Sequence, residues 1–149
     1  MRGWLLDTNV ISELRKPNCN AQVKVWSEHQ HPTRLYLSSV TIAQIRYGIE
    51  RLAAFDPSRK RLEAWLANEL RPWFADRLLE LDEDVLVIWR RLVEEGKAER
   101  HTFLQPDLFI AATAISHDLC VVTRNINDFL RTGVPVLNPW TDTDPRFAE

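Results

Sequence analysis

Hydrophobic and polar residues are arranged along this chain in short apolar runs that alternate with amphipathic segments. The runs are short, rich in β-branched and aromatic residues, and bounded by polar or turn-forming residues, which is typical of β-strands. Strands are predicted over residues 4–6, 34–38, 78–81, 119–123 and 134–137.

The segments between these runs carry apolar residues at three- and four-residue steps, which is the pattern of helices with one buried face. Helices are predicted over residues 10–14, 20–28, 39–56, 57–74, 85–92 and 105–115, with Pro72 interrupting the fourth near its end. Because strands and helices alternate through most of the chain, we expect an α/β fold with a parallel sheet covered on both faces.

Composition narrows the class of protein. With 149 residues, 45% of them hydrophobic, the chain is long enough for one domain spanning residues 1–149 and too short for two. The net charge of −2 and the pI near 6.1 argue against binding to nucleic acid through bulk charge. A local basic rim on an enzyme is still compatible with these values.

Neither a membrane span nor a secretion signal is expected. No window approaches the ~20 apolar residues of a transmembrane helix, and Asp7 leaves no room for the apolar part of a signal peptide. Cys19 and Cys120 are far apart and have no metal-ligand spacing, so we expect two unpaired structural cysteines in a reducing cytoplasm. His29 and His31 are interpreted as surface residues rather than metal ligands.

Several polar side chains are predicted to meet at one edge of the sheet. Ligands of an open parallel sheet collect at the carboxyl ends of its strands, and the candidates at strand ends or helix starts are Asp7, Gln44, Asp107, Asn125 and Asp128. Each has a simpler interpretation as well. Asp7 and Asp107 suit helix N-termini for capping and dipole reasons alone, and Gln44 suits a half-exposed helix position.

If these side chains converge, their chemistry points to a divalent cation. Clustered carboxylates repel one another unless a cation lies between them, and oxygen ligands suit Mg²⁺ or Mn²⁺ rather than zinc. No Gly-rich phosphate loop and no serine or cysteine nucleophile motif is present. Metal-assisted hydrolysis of a phosphodiester is therefore the leading chemistry.

Four segments resemble the motifs of PIN-domain ribonucleases, in particular the branch of VapC and FitB toxins. They lie in the expected order over nearly the whole chain, at residues 5–14, 40–49, 106–114 and 122–129, and residues 136–140 resemble the usual ending. The resemblance implies a three-layer α/β/α sandwich around a central, mainly parallel sheet of four to five strands. It also implies that Asp7, Asp107 and Asp128 bind Mg²⁺ or Mn²⁺, with Asn125 as the other candidate for the fourth site position.

The same resemblance implies a biological setting. Such proteins are cytoplasmic toxins of type II toxin–antitoxin pairs that cleave RNA, pair as homodimers, and form larger complexes with a DNA-binding antitoxin of the VapB or FitA kind. An arginine side chain of the antitoxin is suited to pair with the carboxylates of the cleft and so block it. The six tryptophans are divided between two interpretations, core packing and contact with a second subunit or antitoxin.

Gln44 departs from the family pattern, which has glutamate at this position. Glutamine keeps the shape and one acceptor oxygen but lacks the charge. Glu50 is no obvious substitute, because six residues on it points about 120° away around the helix. Natural variation with weaker metal binding, a deliberately disabled form and a protein that only binds a partner all remain open.

Two other functions compete with the nuclease. One is a catalytically silent interaction module that binds an antitoxin. The other is a phosphohydrolase with Asp7 as nucleophile, which is disfavoured because Asn9 stands where such an enzyme would have a second acid.

Overall fold

A computed structural model describes residues 1–103 and 105–142 of the chain. Its centre is a sheet of five strands in the order β3-β2-β1-β4-β5, with every recorded pairing parallel. The strands are β1 Gly3–Leu6, β2 Leu35–Ser38, β3 Leu78–Leu79, β4 Leu119–Val122 and β5 Val136–Leu137. This confirms the predicted α/β class and the expected number of strands.

Helices follow the strands in the predicted order. They are α1 Thr8–Arg15, α2 Ala21–Glu28, α3 Ser39–Glu50, α4 Pro57–Trp65, α5 Arg71–Trp73, α6 Glu83–Ala98 and α7 Gln105–His117. A π-helical turn, Leu66–Leu70, joins α4 to α5, and short 3-10 helices cover Pro32–Arg34, Ile126–Asp128 and Leu130–Thr132.

The strand residues explain why both faces of the sheet are covered. Trp4 and Leu6 of β1 belong to one hydrophobic cluster and Leu5 to another, because successive side chains of a strand point to opposite faces. The first cluster is packed by residues of α1 to α4 and of the π-helical turn, and the second includes residues of α6 and α7. Two helical layers around one sheet form the three-layer sandwich that the sequence predicted.

Besides the end of α6, which lies at Ala98 rather than at Leu92, two predicted helix boundaries were wrong. The third helix ends at Glu50, not at Asp56, and the side chain of Asp56 caps the next helix by accepting from the Ser58 amide at 2.9 Å. The guanidinium of Arg59 also donates to the Leu52 carbonyl at 3.1 Å, which stabilises the turn between α3 and α4. A proline disfavours helical geometry in the residue before it. The long helix therefore cannot continue through Asp56, and Pro57 is the first residue of α4.

The second wrong boundary concerns Pro72, which does not interrupt the long helical segment. The preceding π turn bonds the Arg71 amide to the Leu66 carbonyl, five residues back, and Pro72 then lies in the first turn of α5. A proline amide has no hydrogen to donate, and the wider turn accommodates this without breaking the segment. Strands β3 and β5 are also shorter than predicted.

The remaining sequence predictions outside the site are partly answered by burial. Trp4 and Trp26 are core residues in edge-to-face contact, at 5.4 Å between ring centroids, whereas Trp73 is 45% exposed. Contact of a tryptophan with a partner stays a prediction.

Both cysteines are free, as predicted, and burial raises the pKa of the Cys120 thiol to about 12, so that it stays protonated.

The histidine rings make local contacts. His29 Nδ1 lies 2.7 Å from the Val25 carbonyl, and His31 Nδ1 lies 2.7 Å from the Thr33 hydroxyl. Within residues 1–103 and 105–142, no helix has the length and hydropathy needed to cross a membrane.

Two glycines give a matched test of backbone packing. A Cβ on Gly3 would run into the carbonyl of Arg34, the residue before β2, whereas a Cβ on Gly48 of α3 would meet open space. We expect Gly3→Ala to lower the free energy of unfolding by about 1–3 kcal/mol through overpacking. Gly48→Ala should raise it by about 0.5–1 kcal/mol, because alanine is the better helix former. Urea unfolding of the metal-free protein measures both, and equal effects of the two changes would contradict the packing argument.

Candidate active site

Asp7 lies at the carboxyl end of the central strand with its side chain only 8% exposed. Its amide donates to the Val122 carbonyl at 2.9 Å, which ties this position to β4. Carboxylate Oδ1 accepts from the Thr8 amide at 2.8 Å, and Oδ2 accepts from the Thr123 hydroxyl at 3.0 Å. Asp7 therefore caps α1, and its second oxygen is held from the adjacent strand.

The surroundings of Asp7 disfavour its negative charge. Burial is the main cause of a raised pKa for this carboxyl, and the charge of Asp128 adds to it. The hydrogen bonds from Thr8 and Thr123 act in the opposite direction. A helix cap needs no such burial, so the position resembles a site poised for a cation more than an ordinary cap.

Asn9 and Thr123 belong to the site, although sequence reasoning assigned them no role in it. The Asn9 amide nitrogen donates to Asp7 Oδ2 at 3.4 Å and to the Thr123 hydroxyl at 3.2 Å. The Asn9 amide oxygen accepts from the Arg124 backbone at 3.1 Å. One signal was available, since Asn9 lies three residues after the first predicted strand and Thr123 is the last residue of the predicted strand 119–123.

Gln44 of α3 lies beside the residue that follows Asp7. Its amide oxygen Oε1 accepts a hydrogen bond from the Thr8 hydroxyl at 2.8 Å, while the side chain remains exposed. Ser38 caps α3 by accepting from the Val40 amide at 3.0 Å, so the helix starts directly at the end of β2. This start places Gln44 in the second turn, at the same edge of the sheet as Asp7.

Asp107 lies in the first turn of α7 and is half-buried. Burial, then the charge of Asp7 and then that of Asp128 raise the pKa of its carboxyl to about 6. These effects require the three carboxyls to lie close enough to repel one another. Their distance in sequence, from β1 to the segment after β4, makes this convergence a result of the fold.

The position of Asp107 is supported from α6. The indole of Trp89 donates to the Gln105 side-chain oxygen at 2.9 Å and stacks on Phe109 with 5.3 Å between ring centroids. These contacts hold the residues on either side of Asp107 in α7. The first turn that carries this acid is therefore anchored by packing between the two helices.

Asn125 and Asp128 follow β4 and play different roles. The Asn125 amide donates to the Thr123 hydroxyl at 3.1 Å, and the Asp128 amide donates to the Asn125 carbonyl at 3.1 Å. Asn125 thus contributes backbone contacts to the loop. The carboxyl of Asp128 is exposed, and its charge is felt by both buried acids. Of the two candidates for the fourth site position, only Asp128 adds charge to the cleft.

The donor atoms are those that a hard divalent cation prefers. Asp7 and Asp107 supply carboxylate oxygens, and Gln44 supplies an amide oxygen that contacts Thr8, the residue after Asp7. The charges of Asp7 and Asp128 raise the pKa of Asp107, and a bound cation would offset this repulsion. In the part of the chain that the structure describes, no three His, Cys, Asp or Glu side chains are grouped as metal ligands. The donor chemistry therefore fits Mg²⁺ or Mn²⁺ with two acids and a neutral amide.

Comparison with curated proteins identifies relatives that match nearly end to end. Toxin FitB of Neisseria gonorrhoeae is 37% identical over 138 residues, which cover 93% of this chain and 99% of that protein. The VapC ribonuclease Y4jK of Sinorhizobium fredii is 36% identical over 91% of this chain and 96% of its own.

Solved structures give the same result for the fold. The crystal structure of FitAcB from Neisseria gonorrhoeae contains a chain with a TM-score of 0.86 and 36% identity, covering 93% of this chain and 99% of that one. A structure of FitAB bound to an IR36 DNA fragment gives 0.87 and 34%, covering 95% and 99%. The profile of the PIN domain matches residues 4–135. This chain belongs to the PIN-domain family.

Proposed function

We propose that this protein is a divalent-metal-dependent endoribonuclease, the toxin of a type II toxin–antitoxin pair in the cytoplasm. The observation that supports the proposal is electrostatic: the charge of Asp128 raises the pKa of both Asp7 and Asp107, and the charge of Asp7 raises the pKa of Asp107. Relatives named toxin FitB and VapC ribonuclease support it. The solved relatives include FitAB and VapBC assemblies bound to DNA, which supports a DNA-binding antitoxin as the partner.

In this mechanism Asp7 and Asp107 would hold the cation, and Asp128 would contribute negative charge from the rim. When bound, Mg²⁺ or Mn²⁺ supplies Lewis-acid stabilisation of the phosphodiester and lowers the pKa of the attacking water. Asp7 needs little rearrangement, because Thr8, Thr123 and Asn9 already fix both of its oxygens. Preorganised groups of this kind cost little free energy of reorganisation during the reaction.

Gln44 should weaken this site without distorting it. Its Oε1 accepts from the Thr8 hydroxyl, as a glutamate oxygen at the same place would, but it brings no charge to the cation. Two carboxylates plus a neutral amide bind a divalent ion less tightly than three carboxylates. The natural chain is then an attenuated nuclease, with its architecture intact.

The decisive experiment is Gln44→Glu. We expect this variant to cleave single-stranded RNA about tenfold faster at limiting Mg²⁺ or Mn²⁺, which corresponds to about 1.4 kcal/mol of additional stabilisation. Cleavage is followed on a 5′-labelled RNA with EDTA as the metal-free reference. Ala43→Glu is the matched control, since it adds the same charge one residue away, about 100° around the helix.

Metal binding gives a second readout that does not depend on turnover. Titration of Mn²⁺ should raise the melting temperature of Gln44→Glu at lower concentrations than that of the wild-type protein. A Gln44→Glu protein that cleaves no RNA with either metal would contradict the nuclease assignment. If the variant cleaves and the wild type does not, the natural chain is instead the catalytically silent antitoxin-binding module.

A further inference from the structure

We propose that Arg124 is a preformed binding residue for an RNA phosphate at the rim of the acidic cleft. The inference rests on the proposed nuclease function and deepens it, because it assigns the cation that offsets the repulsion between the cleft and its polyanionic substrate. Arg124 follows Thr123, whose hydroxyl donates to Asp7. The backbone of Arg124 therefore lies next to the strand end that carries Asp7 and Thr123.

The backbone of Arg124 is held on both sides. Its amide donates to the Asn9 side-chain oxygen at 3.1 Å, and its carbonyl accepts from the Asn138 side chain at 3.4 Å. The same Asn9 amide group donates from its nitrogen to Asp7 at 3.4 Å. A single asparagine side chain thus connects the buried acid of the site with the backbone of the rim arginine and fixes their relative positions.

The side chain of Arg124 has a platform of its own. The guanidinium lies over the ring of Trp140, 5.2 Å from the centroid. The indole packs against the hydrophobic cluster on the α1 side of the sheet, and the Trp140 amide donates to Asn138 Oδ1 at 2.9 Å. Stacking engages the face of a guanidinium and leaves the N–H groups at its edge free to bind a phosphate in a bidentate manner.

Among the residues that the structure describes, the charge of Arg124 is also not paired with a carboxylate. Arg46, Arg59, Arg90 and Arg131 each lie within ion-pair distance of a glutamate. For Arg124, which is exposed, no carboxylate of residues 1–103 or 105–142 lies within that distance. An arginine that is both prepositioned and unneutralised loses little conformational entropy when it binds an anion.

The alternative is that Arg124 only covers Trp140 and stabilises the end of the chain. The two roles differ in their effect on RNA binding. A phosphate contact contributes to the salt dependence of RNA affinity, whereas a stacking contact changes the melting temperature and leaves RNA affinity unchanged. The test therefore measures RNA affinity as a function of salt, in EDTA, where no cleavage occurs.

The probe is a fluorescently labelled single-stranded RNA of mixed sequence, and binding is followed by anisotropy between 50 and 200 mM KCl. For Arg124→Ala we expect about a tenfold loss of affinity at low salt and a salt slope reduced by about one phosphate contact. Arg124→Lys should fall between wild type and alanine, because it retains the charge but not the planar fork. Trp140→Leu should weaken binding by removing the platform, and Trp140→Phe should retain most of it.

Arg131→Ala is the matched control. Arg131 is an exposed arginine in the same segment of the chain, but it lies 3.8 Å from Glu99 and is already neutralised. Its removal should leave affinity and salt slope unchanged. Melting temperatures of all five variants establish that each is folded.

The possible outcomes separate this inference from the nuclease proposal. If Arg124→Ala binds RNA with the wild-type affinity and slope, or if Arg131→Ala loses as much, the phosphate role is overturned. It is also overturned if Arg124→Ala loses only the association with a co-expressed antitoxin, since the residue then serves a protein partner. If the wild-type and Gln44→Glu proteins cleave nothing while Arg124→Ala still reduces the salt slope, the nuclease proposal fails and the RNA-binding role stands.

Discussion

Asp7→Asn is expected to reduce RNA cleavage by about 10³-fold, because a bound divalent ion supplies several kcal/mol of transition-state stabilisation and each 1.4 kcal/mol is a factor of ten. The asparagine keeps an oxygen that can accept from the Thr8 amide, and the Thr123 hydroxyl can accept as well as donate. The change therefore removes the charge and preserves the shape. Rates are measured in the wild-type and Gln44→Glu backgrounds.

The control for Asp7→Asn must separate a site residue from a helix cap. Asp56 caps α4 as Asp7 caps α1, and it accepts from the Ser58 amide at 2.9 Å. Asparagine is as good an N-cap as aspartate, so Asp56→Asn should leave stability and cleavage unchanged. If Asp7→Asn were equally silent, Asp7 would be a cap only and the proposed site would be wrong.

Burial gives Asp7→Asn a second signature. The fold disfavours the charge of Asp7, as its raised pKa indicates. The neutral variant should therefore be at least as stable as the wild type in the absence of metal, and it should lose the stabilisation that Mn²⁺ gives to the wild type. Loss of activity together with retained stability distinguishes a functional acid from a structural one.

The sheet and its site edge were predictable because their signals are local. Residues 4–6 and 119–122 are apolar on both faces, as strands at the centre of a covered sheet must be, and the polar residues that follow them had to emerge at the carboxyl edge. Parallel pairing of β1 with β4 then brings Asp7 next to Thr123. The sequence predicted that both strands end at this edge, and the structure adds the pairing that makes them neighbours.

Features that depend on tertiary contacts were not predictable in the same way. The bridge that Asn9 forms from Asp7 to Arg124 joins residues more than a hundred positions apart. Trp89 supports the start of α7 through Gln105, and no periodicity within α6 indicates that contact. The π turn before Pro72 is a backbone adjustment that only packing reveals. Sequence patterns thus predicted which residues reach the edge, and the structure adds how they are held there.

The glutamine at position 44, where the family has glutamate, affects the electrostatics of the cleft. Asp107 already has a raised pKa with only Asp7 and Asp128 as negative neighbours. A glutamate at position 44 would be a third negative neighbour of Asp107. It would increase this repulsion in the metal-free protein and strengthen the attraction for a cation. The glutamine therefore favours the metal-free fold at the expense of metal affinity, and Gln44→Glu should show the reverse balance.

Asp107→Asn is expected to inactivate the enzyme and to stabilise the metal-free fold. The folded-state pKa of about 6 lies above the ordinary value of 3.8, so the folded protein binds the proton more tightly than the unfolded chain does. Stability then falls as pH rises from about 4 to about 6, and the cost persists above pH 6. Removing the charge should raise the free energy of unfolding by about 1–2 kcal/mol at pH 8, after allowance for solvent screening, and by nothing near pH 4.

The sign of this effect decides between two interpretations of Asp107. A first-turn acid that only complements the helix dipole is stabilising, so its replacement by asparagine should destabilise by about 0.3–1 kcal/mol. Asp84, an exposed acid in the first turn of α6, serves as the control for such a structural acid. We expect Asp84→Asn to lower the free energy of unfolding slightly at pH 8. Urea unfolding of both variants at pH 4, 6 and 8 gives the comparison. A loss of stability in Asp107→Asn at pH 8 would mean that Asp107 serves α7 alone, whereas a gain that Mn²⁺ does not increase further would assign it to the cation site.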